Sequence, residues 1–353
     1  MPILDMTRFV FNGDVLRSVS ELVFDEVVKG PDLNMIHTVY PNIVTQTQIG
    51  FIGKGGLVGV KNQGCDPTPQ DWSVGTRDVK FDPVAWEILI AACWTELEAS
   101  AAVYSLHKGV NIADFSDTDY MTILMEVLTN SMNEFMYRFI WFSDVDAANI
   151  ADGGEITDGV AVKYFNLLDG LFKQMDVQIG VNPKQHVPIA ENAGADYDAQ
   201  IVAADKAVGY LRKAYRAAPI ALRNLRNKFY LVTQGIYDAY VESLQSACCL
   251  ETTYQNLVNG MTTVSFNGIP LIAMTIWDEI IASYCNDEAK NRYINPNRIV
   301  LTAPEVLAVG VDDPNAFDSV KSWYNPDERK VKIEAMGKGD VKLANPALFV
   351  YGV

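Results

Sequence analysis

Apolar residues recur at helical or strand spacing along this chain and divide it into distinct segments. Residues 14–29 carry apolar side chains three and four positions apart, which predicts an amphipathic helix that the Gly30-Pro31 pair ends. From residue 46 to residue 81, glycines alternate with strand-forming residues, which indicates a long hairpin with few core positions. Because both stretches are too short for a core of their own, we expect other surfaces to cover their apolar side chains.

The next segments predict the centre of the fold. The apolar run from Trp86 to Trp94 predicts a strand. Residues 119–143 contain neither glycine nor proline and predict one long helix, which Ser116 or Asp117 can cap. At 1.5 Å per residue, this helix would be a strut about 37 Å long.

Helices and strands alternate in the second half of the chain. We predict helices at about 160–175, 198–217 and 234–246, and strands at about 228–233, 263–274, 298–302, 330–336 and 347–353. The strand-forming stretch at 263–274 contains Asn267-Gly268, a dipeptide that favours a tight hairpin turn. The pattern indicates an α+β protein in which one mixed domain is inserted between parts of another.

Composition and charge restrict the classes of function. Hydrophobic residues make up 49% of the chain and charged residues 20%, which is enough for a sizeable core. The formal net charge of −16 repels phosphate backbones and anionic membranes at a distance. No apolar run is long enough to cross a bilayer, and no secretion signal is expected. The five cysteines show no Cys-x-x-Cys spacing, which favours reduced thiols in a cytosolic setting.

The motifs that suggest catalysis or ligand binding are incomplete. The three histidines, His37, His107 and His186, show no metal-ligand spacing. The glycines between residues 50 and 56 resemble a phosphate-binding loop, but their spacing differs and no helix is predicted to follow. The Asp144-x-Asp146 sequence begins like a calcium loop but has an alanine where an oxygen ligand is needed. We therefore expect no catalytic, cofactor-binding or metal-binding residues.

One basic group stands out in this acidic chain. Its window contains no acidic residue, and its members are Arg212, Lys213, Arg216, Arg223, Arg226 and Lys228. A solvated helix face is the commoner explanation for such a group. The second explanation is a positive surface that meets an acidic surface on a neighbouring copy. Nucleic-acid contact ranks third, because Tyr215 is the aromatic residue that this window offers for base stacking.

The order of segments resembles the major capsid proteins of tailed double-stranded DNA bacteriophages (Caudoviricetes). Five phrases in the second half carry the resemblance: Asn227-Lys-Phe-Tyr-Leu-Val-Thr233, Ile236-Tyr-Asp-Ala-Tyr-Val-Glu-Ser-Leu-Gln245, Phe266-Asn-Gly-Ile-Pro-Leu-Ile272, Asn297-Arg-Ile-Val-Leu-Thr-Ala-Pro-Glu305 and Trp323-Tyr-Asn-Pro-Asp-Glu-Arg-Lys-Val331. Two further phrases, Cys93-Trp-Thr-Glu-Leu-Glu98 and Asp117-Thr-Asp-Tyr-Met121, are similar to the crAss-like phage group. The resemblance covers nearly the whole chain and is a pattern of segments without one diagnostic motif.

The resemblance implies an α+β fold with five parts. These are an N-terminal arm at 1–45, an extended β-hairpin loop at 46–82, a peripheral domain at 83–199 with a long spine helix at 119–143, an axial domain at 200–315, and returning strands of the peripheral domain at 316–353. It implies no catalytic residue and no cofactor.

The resemblance also implies a function and a set of partners. The chain would be a structural protein that assembles with itself into hexamers and pentamers of an icosahedral head. This head would enclose double-stranded DNA without sequence-specific binding. Further expected partners are a portal protein and scaffolding, decoration or head-fibre proteins, and no membrane is expected. Since Met1 lies close to the predicted arm, a separate scaffolding protein or none is implied. The expected location is the virion, after synthesis in the host cytoplasm.

Candidate contacts between subunits lie in the hairpin and in the basic group: Phe51, Lys54, Lys61, Trp72, Arg212, Arg216, Arg223 and Arg226. Some members of the family crosslink a lysine to an asparagine between subunits. Lys54 and Lys61 lie in the corresponding loop, but no matching motif accompanies them, so no crosslink is predicted.

Two alternative functions are weighed against a shell subunit. A cytosolic α+β enzyme or ligand-binding protein would need convergent polar groups, and the sequence offers few. Another virion subunit is the second alternative. A portal would be expected to show longer helical rods, and a tube subunit would be expected to be shorter and richer in strands.

Overall fold

The computed structural model describes residues 35–43, 47–55, 74–93, 131–132, 134–246, 255–256, 262–312, 321–325 and 330–353. Five α-helices fall within these ranges: α1 (Leu171–Val181), α2 (Ala204–Ala217), α3 (Ile220–Asn224), α4 (Gln234–Ser246) and α5 (Thr275–Tyr284). Residues 134–137 are also helical and continue into a π-helical turn, Arg138–Phe142.

The described strands form two larger sheets and two strand pairs. In chain order they are β1 (Thr38–Tyr40), β2 (Gln48–Gly55), β3 (Val74–Lys80), β4 (Val84–Cys93), β5 (His186–Val187), β6 (Phe229–Val232), β7 (Gln255–Asn256), β8 (Thr262–Phe266), β9 (Ile269–Ala273), β10 (Asn286–Asp287), β11 (Arg292–Tyr293), β12 (Ile299–Thr302), β13 (Leu307–Val311), β14 (Lys321–Asn325), β15 (Lys330–Leu343) and β16 (Val350–Gly352).

The seven-stranded sheet has the order β5-β16-β12-β6-β9-β8-β7 and is buried on both faces in its centre. In β6, Phe229 and Leu231 belong to one buried cluster, while Tyr230 and Val232 belong to another. Alternate side chains of a strand point to opposite faces, so the two clusters lie on the two sides of the sheet. This double burial explains why β6 and β12 are continuous apolar runs in the sequence.

The five-stranded sheet is organised around the long strand β15. β4 pairs antiparallel with β15 from Val84 opposite Gly339 to Cys93 opposite Lys330. β14 and β13 pair with the two ends of the same strand. Because the β14-paired residues also pair with β4, these two strands must lie on opposite edges of β15. β1 completes the sheet through parallel pairing with β13.

The predicted hairpin is confirmed where it is described. β2 and β3 pair antiparallel from Gln48 opposite Lys80 outwards, with a register shift between Ile52 and Gly55. Its base joins the five-stranded sheet through a small buried cluster of Ile43, Phe81, Ala308 and Ala344.

The largest buried cluster joins the two large sheets to the helices between them. Trp141 and Trp277 are both fully buried and their ring centroids lie 4.6 Å apart. Phe172 of α1 packs against both indole rings at 5.1 Å and 4.9 Å. The cluster also contains Val309 and Val341 of the five-stranded sheet and Leu231 of the seven-stranded sheet. Both sheets therefore share one core.

Several local predictions are confirmed, and two predicted helices begin later than expected. The strand at 228–233, the helix at 234–246 and the hairpin turn at Asn267-Gly268 all form, and both turn residues have positive φ as a two-residue turn requires. The helix predicted at 198–217 begins at Ala204, after a 3-10 turn at Asp198–Gln200. The helix predicted at 160–175 begins at Leu171, after a short 3-10 turn. Gly170 interrupts it, because its N–H bonds to the Ser143 carbonyl at 2.7 Å and a Cβ there would meet backbone at 3.0 Å.

Other sequence predictions lie partly or wholly outside the described residues. The predicted helix at 14–29 lies wholly outside them. Most of the predicted helix at 119–143 also lies outside them, and its described part is helical except at Ser143. The domain boundaries stay a prediction. Sheet membership crosses the boundary at 315/316 twice, since β13 pairs with β15 and the C-terminal strand β16 pairs with β12.

Candidate functional site

Side chains that could ligate a metal do not cluster in the described residues. No group of three or more His, Cys, Asp or Glu side chains in these ranges could hold a metal ion. No described helix has the length and apolar character needed to span a membrane. The Asp144 and Asp146 pair forms an acidic turn, in which Asp144 accepts a hydrogen bond from Lys173 at 2.9 Å. These carboxylates are therefore tied to a lysine of α1.

A buried arginine lies between the large sheet and α1. Arg298 is 3% exposed, and its Nη1 donates a hydrogen bond to the Tyr351 hydroxyl at 2.7 Å. Its guanidinium carbon lies 4.2 Å from the centroid of the Phe172 ring, a cation–π arrangement. Burial raises the pKa of the Tyr351 hydroxyl, so Tyr351 stays neutral and accepts this hydrogen bond. The arrangement joins β16 to α1.

A second polar cluster fixes the start of α2. The Glu191 carboxylate is 5% exposed and accepts hydrogen bonds from Lys206 and Tyr210, each at 2.7 Å. Burial alone would raise the pKa of Glu191, but these hydrogen bonds outweigh it and hold the pKa below its usual value. Both acceptor oxygens are occupied, so the cluster positions α2 against the residues before it.

The base of the β2–β3 hairpin is held by a buried carboxylate. Asp340 of β15 accepts the backbone N–H of Asp82 at 2.7 Å and lies 3.2 Å from the Lys342 ammonium. Beside it, Gly310 leaves room for the cluster at the hairpin base, because a Cβ there would lie 2.5 Å from Ile43. Phe81, 1% exposed, fills that space. The base of the hairpin is therefore held in a fixed position beside the five-stranded sheet.

The basic group predicted from the sequence divides into exposed and locally bonded members. Arg212, Arg216 and Arg226 are exposed, and no ion pair in the described part of the chain involves them. Arg223 is half-buried instead. It donates to the backbone carbonyls of Ala218 and Arg216, and its guanidinium lies 5.4 Å from the Tyr215 ring centroid. Arg223 therefore caps the C-terminus of α2.

An acidic surface that the sequence pattern did not predict lies beside this basic one. α4 packs against α2, and its exposed positions include Asp238 and Glu242, one helical turn apart. Residues 234–246 contain no lysine or arginine. That absence was the available signal, but only the packing of α4 beside α2 shows that the two charged surfaces are neighbours.

The hairpin candidates cannot all be placed. Phe51 and Lys54 lie on β2, where Phe51 is opposite Arg77 of β3. Lys61 and Trp72 lie outside the described residues. The role of all eight candidate residues in contacts between subunits stays a prediction.

Comparison with known proteins identifies the fold. No family model matches the sequence, and no curated protein matches it. A chain from the satellite phage P4 procapsid including size determination (Sid) protein matches 97% of this chain and 98% of its own length, with a TM-score of 0.51 and 10% identity. The chain has the fold of tailed-phage major capsid proteins.

A second capsid-protein neighbour agrees with the first. A chain from Gordonia phage Cozz matches 90% of this chain and 84% of its own, with a TM-score of 0.50 and 11% identity. The mixed α/β architecture and the capsid-protein fold, which is also called HK97-like, are thus confirmed. The division into an arm, an extended loop, a peripheral domain and an axial domain is finer than this likeness and stays a prediction.

Proposed function

We propose that this protein is the major capsid protein of a tailed phage, a structural and non-catalytic subunit that assembles with copies of itself into a closed head. The observation that carries the proposal is the capsid-protein fold over 97% of the chain. Its likeness to the P4 procapsid chain spans almost the full length of both chains, so the proposal concerns the whole protein and not one shared domain.

The hairpin supports the same function. Its base is fixed by Phe81 and Asp340, and its strands pair with each other in the described residues. A two-stranded ribbon is only marginally stable by itself, so a neighbouring copy is the natural surface for it. Exchange of such segments between copies gives the large interfaces that permanent assemblies need.

The finer parts of the proposal follow from the sequence resemblance. They are hexamers and pentamers in an icosahedral shell, membership of the crAss-like group, a location in the virion after synthesis in the host cytoplasm, and double-stranded DNA inside the shell. A portal protein, scaffolding proteins and decoration or head-fibre proteins are the further proposed partners. The net charge of −16 fits a DNA-enclosing surface that does not trap the packaged molecule.

Electron microscopy of the purified chain tests the proposal. We expect closed shells or capsomer rings after expression, either alone or with the neighbouring genes of its phage. Sedimentation velocity should show the same species as a fast fraction well above the subunit. Monomers under all of these conditions would contradict the proposal and favour a ligand-binding protein, and open tubes would favour another virion subunit.

A further inference from the structure

One layer of this molecule carries opposite charges on two adjacent helices. α2 packs over β5, β16 and β12, whereas α4 packs over β9, and the two helices contact each other. In the sheet these strands have the order β5-β16-β12-β6-β9. The two helices therefore cover different halves of the same face. Their exposed charges make this layer positive over one half and negative over the other.

The positive half belongs to α2. Arg212, Lys213 and Arg216 are exposed, and no acidic residue occurs between residues 206 and 237. No ion pair in the described ranges includes any of the three. Lys213 lies over the Tyr210 ring of its own helix, at 5.0 Å from the centroid. Arg212 and Arg216, one turn apart, are therefore the cations that remain available to a partner.

The negative half belongs to α4. Asp238 and Glu242 are exposed, and neither takes part in an ion pair within the described residues. Asp238 accepts a hydrogen bond from the Gln234 side chain, which leaves its charge unneutralised. Four unpaired charges on two packed helices thus lack partners of opposite sign in the described part of their own chain.

We propose that the Arg212 and Arg216 surface of one copy contacts the Asp238 and Glu242 surface of the next copy, head to tail. The spacing fits this contact, since each pair is separated by four residues, or about 6 Å along a helix. Two helices lying side by side can therefore form two arginine–carboxylate pairs at once. In this head-to-tail arrangement the basic surface of each copy meets the acidic surface of the next, so the contact is heterologous and can close into a ring.

Packaged DNA is the competing partner for the arginines. A copy of the same chain is favoured because it explains the acidic surface as well as the basic one. The inference rests on the proposed function, since it names the surfaces through which the shell subunits recognise each other. Exposed ion pairs contribute little affinity, so their main effect is on orientation and on the rate of assembly.

Charge reversal tests the contact. Arg212→Glu with Arg216→Glu places like charges opposite each other, and so does Asp238→Lys with Glu242→Lys. We expect each double variant to lose most of the ring and shell fraction in sedimentation velocity and electron microscopy. The quadruple variant, which exchanges the signs, should recover it. An equimolar mixture of the two double variants should recover rings with an even number of copies, in which the variants alternate and each supplies the surface that the other requires.

A matched control separates the contact from a general charge effect. Lys163→Glu with Lys184→Glu changes the net charge by the same amount at exposed lysines outside α2, and assembly should be retained. Circular dichroism should show that all variants are folded. The inference is wrong if both double variants assemble normally, if the quadruple variant stays unassembled, or if the control fails equally.

Three outcomes separate this inference from its alternatives. If the arginine variant forms normal shells that retain less DNA, the basic surface contacts nucleic acid and the inference is overturned. If the unaltered protein forms no rings or shells, the proposed function fails. If the unaltered protein assembles and the variants do too, only the inference fails.

Discussion

A few charged side chains are buried in this fold, and their hydrogen-bond partners lie on other segments of the chain. Each of these contacts joins two segments. Arg298 is the clearest case, with its guanidinium held between the Tyr351 hydroxyl and the Phe172 ring. A buried charge of this kind requires its hydrogen-bond partners, because an unsatisfied charged donor carries the full cost of desolvation. The stability of the protein should therefore depend strongly on the Tyr351 hydroxyl.

Tyr351→Phe removes that hydroxyl and leaves a buried arginine N–H without its acceptor. We expect the free energy of unfolding to fall by about 1.5–3 kcal/mol, measured by guanidinium denaturation. Tyr164→Phe, at a side chain that is 50% exposed, is the control and should be nearly neutral. The double variant Tyr351→Phe with Arg298→Met should lose less free energy of unfolding than the two single variants lose together, because the two side chains are hydrogen-bonded to each other. Equal effects of the two tyrosine variants would contradict this role.

Asp278 predicts a specific pH dependence. It accepts the backbone N–H of Gln234 at 2.8 Å, and burial raises its pKa from 3.8 to about 6. A carboxyl with a raised folded-state pKa stabilises the fold below its unfolded pKa, and this contribution is lost as the pH rises through about 6. Asp278→Asn should therefore stabilise the protein by about 1–2 kcal/mol at neutral pH, with no difference near pH 4.

Denaturation of both proteins at the two pH values measures this difference. Glu242→Gln, at an exposed carboxylate of α4, changes the net charge equally and serves as the control. If Asp278→Asn changes the free energy of unfolding by the same amount at both pH values, burial of the carboxylate is not the cause.

At the scale of elements, turn chemistry and hairpin roots decide the structure. The β8–β9 turn places Asn267 at φ 52° and Gly268 at φ 74°, the left-handed conformation that glycine adopts without a steric penalty. Glycine within a helix destabilises the protein instead, because it increases the conformational entropy of the unfolded chain without relieving any strain in the folded one. The two situations predict opposite signs for the same substitution.

Gly268→Ala should destabilise the protein by about 1 kcal/mol, because alanine is strained at positive φ. Gly209→Ala, in the middle of α2 where a Cβ would have nothing within 4 Å, should stabilise it by about 0.5–1 kcal/mol. Thermal unfolding of the two variants measures both effects. Shifts of the same sign would contradict the assignment.

The β2–β3 hairpin predicts a separation of folding from assembly. Ile52 and Thr76 are paired, so replacing residues 53–75 with Asn-Gly should close a tight two-residue turn on the rooted part of the ribbon. We expect a folded subunit with an unchanged melting temperature that forms no shells. The full-length control Lys54→Gln with Lys61→Gln keeps the reach of the hairpin and should still assemble. Normal shells from the shortened variant would refute the role of the hairpin.

At the scale of the whole molecule, one buried cluster couples the two large sheets. Trp277 is fully buried at its centre, against Trp141 and Phe172. The same cluster includes side chains of both sheets, so neither sheet can lose this core without exposing the other. We therefore expect the described body to unfold as one unit.

Trp277→Ala should lower the free energy of unfolding by about 3–5 kcal/mol through the cavity it creates. Tryptophan fluorescence and far-ultraviolet circular dichroism should follow one coincident transition in the parent protein. Ile220→Ala, at a side chain that is 75% exposed, is the control and should change little. Two separate transitions in the parent protein would show that the sheets unfold independently.

The sequence by itself determined the elements in which periodicity and turn chemistry agree. β6, α4 and the Asn267-Gly268 hairpin are of this kind, because their residues face buried or exposed surroundings in a regular alternation. The capsid-protein fold was also expected from the order of segments. The candidate arginines of α2 were found by charge alone, without any view of what lies beside them.

Only the tertiary structure decided the rest. It pairs β13 with β1 and β15, assigns β16 to the seven-stranded sheet, delays the start of α1 until after Gly170 and places acidic α4 beside basic α2. Each of these depends on contacts between residues distant in the chain. A local pattern shows that a side chain will be covered, but the covering surface is selected by long-range packing and pairing.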